Sequence, residues 1–294
     1  MRRPIIVAFL GFVLLACQAL AAERGALFKV SGQDKTLYLY GTIHAGKPDY
    51  YPLEPRIGKA LAQASTLALE VDIGRDPAAE QAAFSQHGLF PAGSPAYAGL
   101  ADGRRQRLQA ALKQQGVDPA AVGQLKPWML VMMLALVDLA KLGYDPALGV
   151  DLHLAGLARG KARISELESV QVQAALMDRM PLATQWALLE ETLAHMASGR
   201  QLREARELFA AYEQADRKAL DGIVQRVERD DSVSGKFVRE VMLVERNGPM
   251  ADKVATLLAR ENNAVVAIGL MHLLGKEGVP ELLRKRGLTV ERLY

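Results

Sequence analysis

Residues 36–44 read TLYLYGTIH and residues 264–272 read AVVAIGLMH. In each, an apolar run rich in β-branched or aromatic residues meets a glycine, and a histidine follows three residues after it. Such runs predict strands. In an α/β sheet the carboxyl ends of the strands form the crevice where ligands bind, so His44 and His272 are candidates to share one. A glycine at that point lets the backbone turn sharply or lets a ligand come close. Two acids hold comparable positions: Glu70 closes TLALE at 66–70, and Glu168 closes ARISELE at 162–168. A carboxylate that follows an apolar run is costly unless it is paired or coordinates a metal.

Working outward, ALFKV at 26–30 and TLYLYGTI at 36–43 flank the polar stretch SGQDK, which predicts a hairpin. Glu54 to Ala64 reads as a short helix and Thr66 to Val71 as a buried strand. Residues 74–103, rich in Gly and Pro toward their end, read as a long surface excursion. Helices are predicted near 104–115, 127–142 and 149–159, and a strand at 162–167. From about 169 to 260 the chain reads as almost wholly helical. Leu182, Trp186, Leu189, Leu193 and Met196 step by four and three along one apolar face there. Glu213 and Arg217 are spaced for an exposed ion pair within one helix. NAVVAI at 263–268 returns to strand, followed by a helix near 277–286 and a last strand, LTVERL, at 288–293. The fold class this predicts is α/β, with a central mixed sheet taking strands from both chain ends and a large helical insertion. Residues 22–294 read as a single domain.

The first residues, MRRPIIVAFLGFVLLACQALAAERG, carry Arg2 and Arg3 ahead of about a dozen apolar residues. Residues 1–21 therefore read as an export signal, whose apolar stretch, Ile5 to Ala16, is too short for a transmembrane helix of roughly 20 residues. Ala19-Leu20-Ala21 suits ordinary cleavage. Leu14-Leu15-Ala16-Cys17 resembles a lipobox, which would leave a lipid on the only cysteine of the chain. Both forms predict export, to the periplasm or to a lipid anchor in the envelope, with the membrane touched only through the signal or that lipid. Trp128 to Val137 is apolar but short, and reads as a buried helix.

Composition excludes several classes. The chain has 294 residues, half of them hydrophobic, with a net charge of +3. That is incompatible with a disordered chain. Setting aside Arg2 and Arg3 leaves 34 basic residues against 33 acidic ones, so no bulk charge draws the mature protein to nucleic acid. One cysteine makes neither an internal disulfide nor a multi-cysteine zinc site. HExxH, GxSxG, GxxxxGK[ST] and GxGxxG motifs are missing from the sequence. What remains is two imidazoles and one or two carboxylates at strand ends: His44, His272, Glu70 and Glu168. Together they could hold a divalent metal and activate water; N and O donors suit Mn, Co, Fe or Zn. Asp72 and Glu166 compete with Glu70 and Glu168 for those roles. Among the other histidines, His195 reads as a solvated partner of Glu191, His153 as a boundary residue and His87 as part of the Gly/Pro loop. Glu245-Arg246-Asn247, followed by Gly248-Pro249, reads as a helix stop. The functional alternative has Arg246 clamp a substrate carboxylate.

On these motifs the chain resembles the TraB/GumN family, which includes the Tiki proteins. The carriers are YLYGTIH at 38–44, LALEVD at 67–72, GVDLHLAGLARGKARISELESVQVQ at 149–173, ERN at 245–247 and VVAIGLMHLLGKEGVPELLRKRG at 265–287. The resemblance runs from about Leu37 to Leu293. It implies a metal-dependent, hydrolase-like site on His44, Glu70 and His272, with Mn or Co favoured because animal Tiki members are regarded as Mn- or Co-dependent proteases. Asp151, Glu168, Gln173, Arg246 and Asn247 match recurrent family positions, the last two as candidate substrate-binding residues. Gln171 stands where the family's segment would carry an acid. The leading expectation is therefore an exported metallopeptidase acting on a peptide or protein substrate. Glu70 would be a third ligand or the general base. The alternative is a non-catalytic periplasmic binding or accessory protein holding a metal, haem or small ligand in the same pocket.

Overall fold

The computed structural model describes residues 22–294; residues 1–21, read above as an export signal, and Cys17 among them fall outside the described residues. Six strands form one sheet in the order β4-β3-β5-β2-β1-β6. β1 (Leu27–Gly32) and β2 (Lys35–Thr42) make the expected hairpin. Its two-residue turn, Gln33-Asp34, has both residues at positive φ, as a tight turn matched to strand twist requires. β3 (Thr66–Leu69), β4 (Arg163–Glu166) and β5 (Ala264–Gly269) run parallel to β2, while β6 (Thr289–Arg292) returns antiparallel beside β1. The sheet is thus mixed, and the two ends of the chain pair with each other. β3 and β5 are buried almost throughout, which explains their unbroken apolar sequences TLAL and AVVAIG.

The helices are α1 (Pro55–Ala62), α2 (Pro77–Gly88), α3 (Asp102–Gln114), α4 (Pro127–Lys141), α5 (Val150–Ala158), α6 (Val170–Asp178), α7 (Leu182–Ala197), α8 (Arg200–Glu213), α9 (Arg217–Arg229), α10 (Val233–Lys236), α11 (Glu245–Arg260) and α12 (Val279–Lys285). Among the described residues, no helix is long and apolar enough to cross a membrane. One core surrounds the sheet, with Leu37, Leu39, Leu67, Val265 and Val266 fully buried. A second lies within the helical layer, where Leu108, Leu112, Leu130 and Leu134 meet Trp186, Leu189 and Leu193. The predicted face of α7 is buried at Trp186, Leu189, Leu193 and Met196, but Leu182, in its first turn, is 46% exposed.

Three expectations are corrected. The 74–103 excursion contains α2, whose start is fixed by Asp76 accepting from the Ala79 N–H and by Pro77 in the first turn. α2 packs on α6, so His87 sits in a helix rather than a loop. Glu213 and Arg217 do not share a helix: the chain breaks at Ala215, at positive φ, and Glu213 accepts instead from Tyr50, Tyr144 and Lys47. Asn247-Gly248-Pro249 does not stop a helix. A π-helical stretch, Phe237–Val244, runs directly into α11, and Pro249 lies early in α11. A residue without an N–H is tolerated best where the hydrogen-bond register has just changed.

The segment after β2 is held by close backbone contact. Gly46 and Asp145 exchange both backbone hydrogen bonds, and a Cβ on Gly46 would lie 2.2 Å from the Leu148 carbonyl oxygen. Gly46→Ala is therefore expected to destabilise the fold by about 1–3 kcal/mol in denaturant titrations. Gly58→Ala, in α1 with nothing within 4 Å, should instead stabilise by about 0.5–1 kcal/mol. Equal effects at the two glycines would contradict this account of the Gly46 contact.

Candidate functional site

Because β4, β3, β5 and β2 are adjacent and parallel, Glu168, Glu70, His272 and His44 all follow strand ends on one edge of the sheet. The two GxxH glycines have different tasks. A Cβ on Gly41 would strike Leu270, so that glycine lets β2 pack against the turn after β5. A Cβ on Gly269 would lie 2.9 Å from Glu70 Oε1, 3.5 Å from His44 Nε2 and 3.5 Å from His272 Cδ2. The carboxylate and both imidazoles therefore face one small space over Gly269.

Each imidazole is held from behind. Asn247 donates from Nδ2 to the Glu277 carbonyl, so its Oδ1 is left to accept, 2.6 Å from His272 Nδ1. His272 then carries its proton on Nδ1 and has a lone pair on Nε2, which lies 3.7 Å from Glu70 Oε1. Asp151, in the first turn of α5, accepts from His44 Nδ1 at 3.3 Å and leaves Nε2 facing inward. The Val150 N–H donates to the Ile43 carbonyl, fixing α5 against the end of β2. A carbonyl or carboxylate behind each ring is the usual support of a metal-ligating histidine.

Glu70 divides its oxygens. Oε1 accepts from the Gly269 N–H, and Oε2 accepts from Arg246 Nη2 at 2.7 Å. The same guanidinium binds Glu168 through Nε at 3.0 Å and Nη2 at 2.6 Å, and gives Nη1 to the Met242 carbonyl. Gln173 Nε2 completes Glu168 at 2.9 Å. Arg246 and Asn247 are thus spent on Glu70, Glu168 and His272, which leaves neither as an open hook for substrate. Glu168 stands behind Arg246, one step from the space over Gly269. Asp72 pairs with Arg159, and Glu166 with Arg75 and the Asp72 N–H, so neither competitor enters the site. Of the other histidines, His87 pairs with Asp178, His153 stacks on Tyr51, and His195 lies between Glu191 and Arg200.

The surroundings set different charge states. Burial of Glu70 favours its neutral form. The positive charge of His272, His44 and Arg246 and the Gly269 N–H outweigh burial, and lower its pKa to about 2. Burial holds His272 down to about 4 against the charge of Glu70, so at neutral pH this ring is neutral and can act as a ligand. His44 lies at the mouth, with 64% of its side chain exposed. The protein around it works against charge, but the Asp151 hydrogen bond and the charges of Asp151 and Glu70 raise it to about 9.

Among the described residues, no three His, Cys, Asp or Glu side chains already enclose a point as metal ligands. The donor set nonetheless suits a divalent ion: Glu70 Oε1, His44 Nε2 and the edge of the His272 ring face one space that a methyl group would fill, and His272 Nε2 lies 3.7 Å from that same Glu70 oxygen. The carboxylates of Glu70, Glu168 and Asp151 outnumber the single guanidinium. The parts that sequence reading left without roles are Asp151 and Gln173, while Arg246 and Asn247, expected to bind substrate, here support Glu70, Glu168 and His272. Only recurrence in the family segments marks Asp151 and Gln173.

The family model described as the TraB/PrgY/gumN family matches residues 26–292. Among curated proteins, the "Uncharacterized protein YbaP" of Escherichia coli (strain K12) is 26% identical over 271 residues, covering 90% of this chain and 96% of its own. The protein of the same name from Shigella flexneri matches to the same extent. No solved structure matches the chain.

These charge states give a pH signature. Both Glu70 and His272 have folded pKa values below the unfolded ones, about 4.3 and 6.5. Neutral His272 weakens the fold progressively as pH falls from about 6.5 to about 4; the contribution of Glu70 is lost from about 4.5 toward about 2. The unfolding midpoint in chelator should therefore drop across this range, and His272→Gln should remove the upper part of the drop. A midpoint that is flat between pH 6.5 and 4 in the wild-type chain would contradict the assignment for His272.

Proposed function

The chain belongs to the TraB/PrgY/gumN family, and from its site we propose that it is a metal-dependent hydrolase, exported to the cell envelope and acting on peptides. The observation that carries this reading is the convergence of His44 Nε2, Glu70 Oε1 and the His272 ring on the space over Gly269. His44, His272 and Glu70 would hold the ion, with Mn or Co favoured by the family resemblance and Zn or Fe accepted by the same donors. A bound divalent ion would supply Lewis acidity and lower the pKa of a water molecule.

The residues themselves do the rest. Asn247 keeps the His272 lone pair on Nε2. Asp151 turns His44 Nε2 inward, where a bound ion would have to displace the proton that the raised pKa keeps on that ring. Arg246 occupies Glu70 Oε2, so Oε1 is the oxygen presented to the ligand space, as a ligand or as the acceptor of a proton. His44, exposed at the mouth, stands where a substrate would first meet the site.

The test is the metal content of the purified chain after chelation and reloading with Mn, Co and Zn, wild type beside His44→Ala/His272→Ala, followed by a peptide-library digest. The expected result is one ion per chain, lost in the double variant, and peptide cleavage that Glu70→Gln lowers by at least about a hundredfold. Failure to bind an ion stoichiometrically under any loading would overturn the reading. An ion held without turnover of any peptide would replace it with the binding-protein function.

A further inference from the structure

Glu168 is one of four acidic or imidazole groups at the strand ends, and a ligand role is the simplest expectation for it. The geometry points elsewhere. Both of its oxygens are turned to Arg246: Oε1 lies 3.2 Å from Nε, and Oε2 lies 3.0 Å from Nε and 2.6 Å from Nη2. Gln173 takes Oε2 as well. The side chains of Glu168 and Arg246 are 8% and 6% exposed, so solvent screens this pair weakly. Glu70 touches Arg246 only through Nη2, by its outer oxygen, while its inner oxygen faces the imidazoles.

Alone, a guanidinium 2.7 Å from Glu70 would cancel the charge that a cation needs from that carboxylate. Glu168 removes this cancellation. From these contacts we infer that Glu168 is a counter-charge to Arg246, a positioning residue that lets Arg246 orient Glu70 while Glu70 keeps its negative charge for a divalent cation. The Glu168–Arg246 pair is neutral as a unit, which leaves Glu70 as the net charge of the triad. The inference rests on the metal-binding reading of the site.

A ligand and a counter-charge respond differently to substitution, and calorimetric titration of chelated protein with Mn and Co separates them. Glu168→Gln preserves shape and can still accept from Arg246, but leaves the guanidinium uncompensated. The expected result is one ion still bound per chain, with affinity reduced about ten- to a hundredfold, the cost usual for an outer-sphere partner. The double variant Glu168→Gln/Arg246→Gln removes both charges and should recover most of that loss. Unfolding midpoints of the metal-free proteins show whether each variant is folded. If Arg246→Gln in the double variant does not fold, Arg246→Met with Glu168→Gln gives the same charge change with a packed apolar chain. Loss of stoichiometric binding in Glu168→Gln without recovery in the double variant would make Glu168 a ligand and overturn the inference. An unchanged affinity in Glu168→Gln would overturn it as well. A wild-type chain that binds no divalent ion would overturn the reading of the site itself, and this inference with it.

Discussion

An ionised carboxylate at the buried end of a strand must be compensated, and at Glu70 that requirement shapes much of the molecule around it. The Glu70 side chain is 9% exposed and accepts one N–H from β5 and one from Arg246. Arg246 is as deeply buried and cannot stand with one partner, so it takes Glu168 from the end of β4. Breaking such a buried pair by removing one member typically costs about 3–5 kcal/mol, because the other charge is stranded. The triad therefore fastens α11 across the ends of β3 and β4, and with it brings Asn247 onto His272. The helical layer is not simply laid over the sheet; it supplies the groups that make a charged strand end tolerable.

That dependence explains what could be read in the sequence. Strand ends are local: an apolar run followed by Gly-x-x-His, or by Glu, marks its own place in a sheet, and parallel order then brings His44, Glu70, Glu168 and His272 to one edge. The mixed sheet closed by both chain ends followed from the same runs. The groups behind the two imidazoles and Glu70 are not local. Arg246 and Asn247 lie in Asn-Gly-Pro, a sequence that signals helix termination, and only the π-helical register of 237–244 carries the helix through it. Asp151 is marked in the sequence only as a recurrent family position. Its partnership with His44 depends on the α5–β2 packing that no spacing reveals.

Two other misreadings have different causes, one local and one tertiary. Asp76-Pro77 is a helix-start signal outweighed in reading by the Gly and Pro that follow α2. Glu213 has the spacing for Arg217, yet the break at Ala215 separates the helices and three long-range donors, Lys47, Tyr50 and Tyr144, claim the carboxylate. At Glu213 tertiary donors outcompete a local pairing worth only about 0.2–0.5 kcal/mol. The same Glu213 contacts tether the segment after His44 to α8, so the two histidines are held by different layers: His44 by α5 and the helical layer, His272 by α11.

The central claim is that two imidazoles and one carboxylate converge on the space over Gly269 to hold a divalent cation. Its most direct test is pulsed electron paramagnetic resonance of the chain loaded with one equivalent of Mn, compared with and without 15N-labelled histidine. The account predicts nitrogen couplings from two imidazoles that change on labelling, both of which vanish in Gly269→Ala, where the added methyl fills the space. A Mn signal free of histidine couplings, or one that Gly269→Ala leaves unaltered, would contradict it.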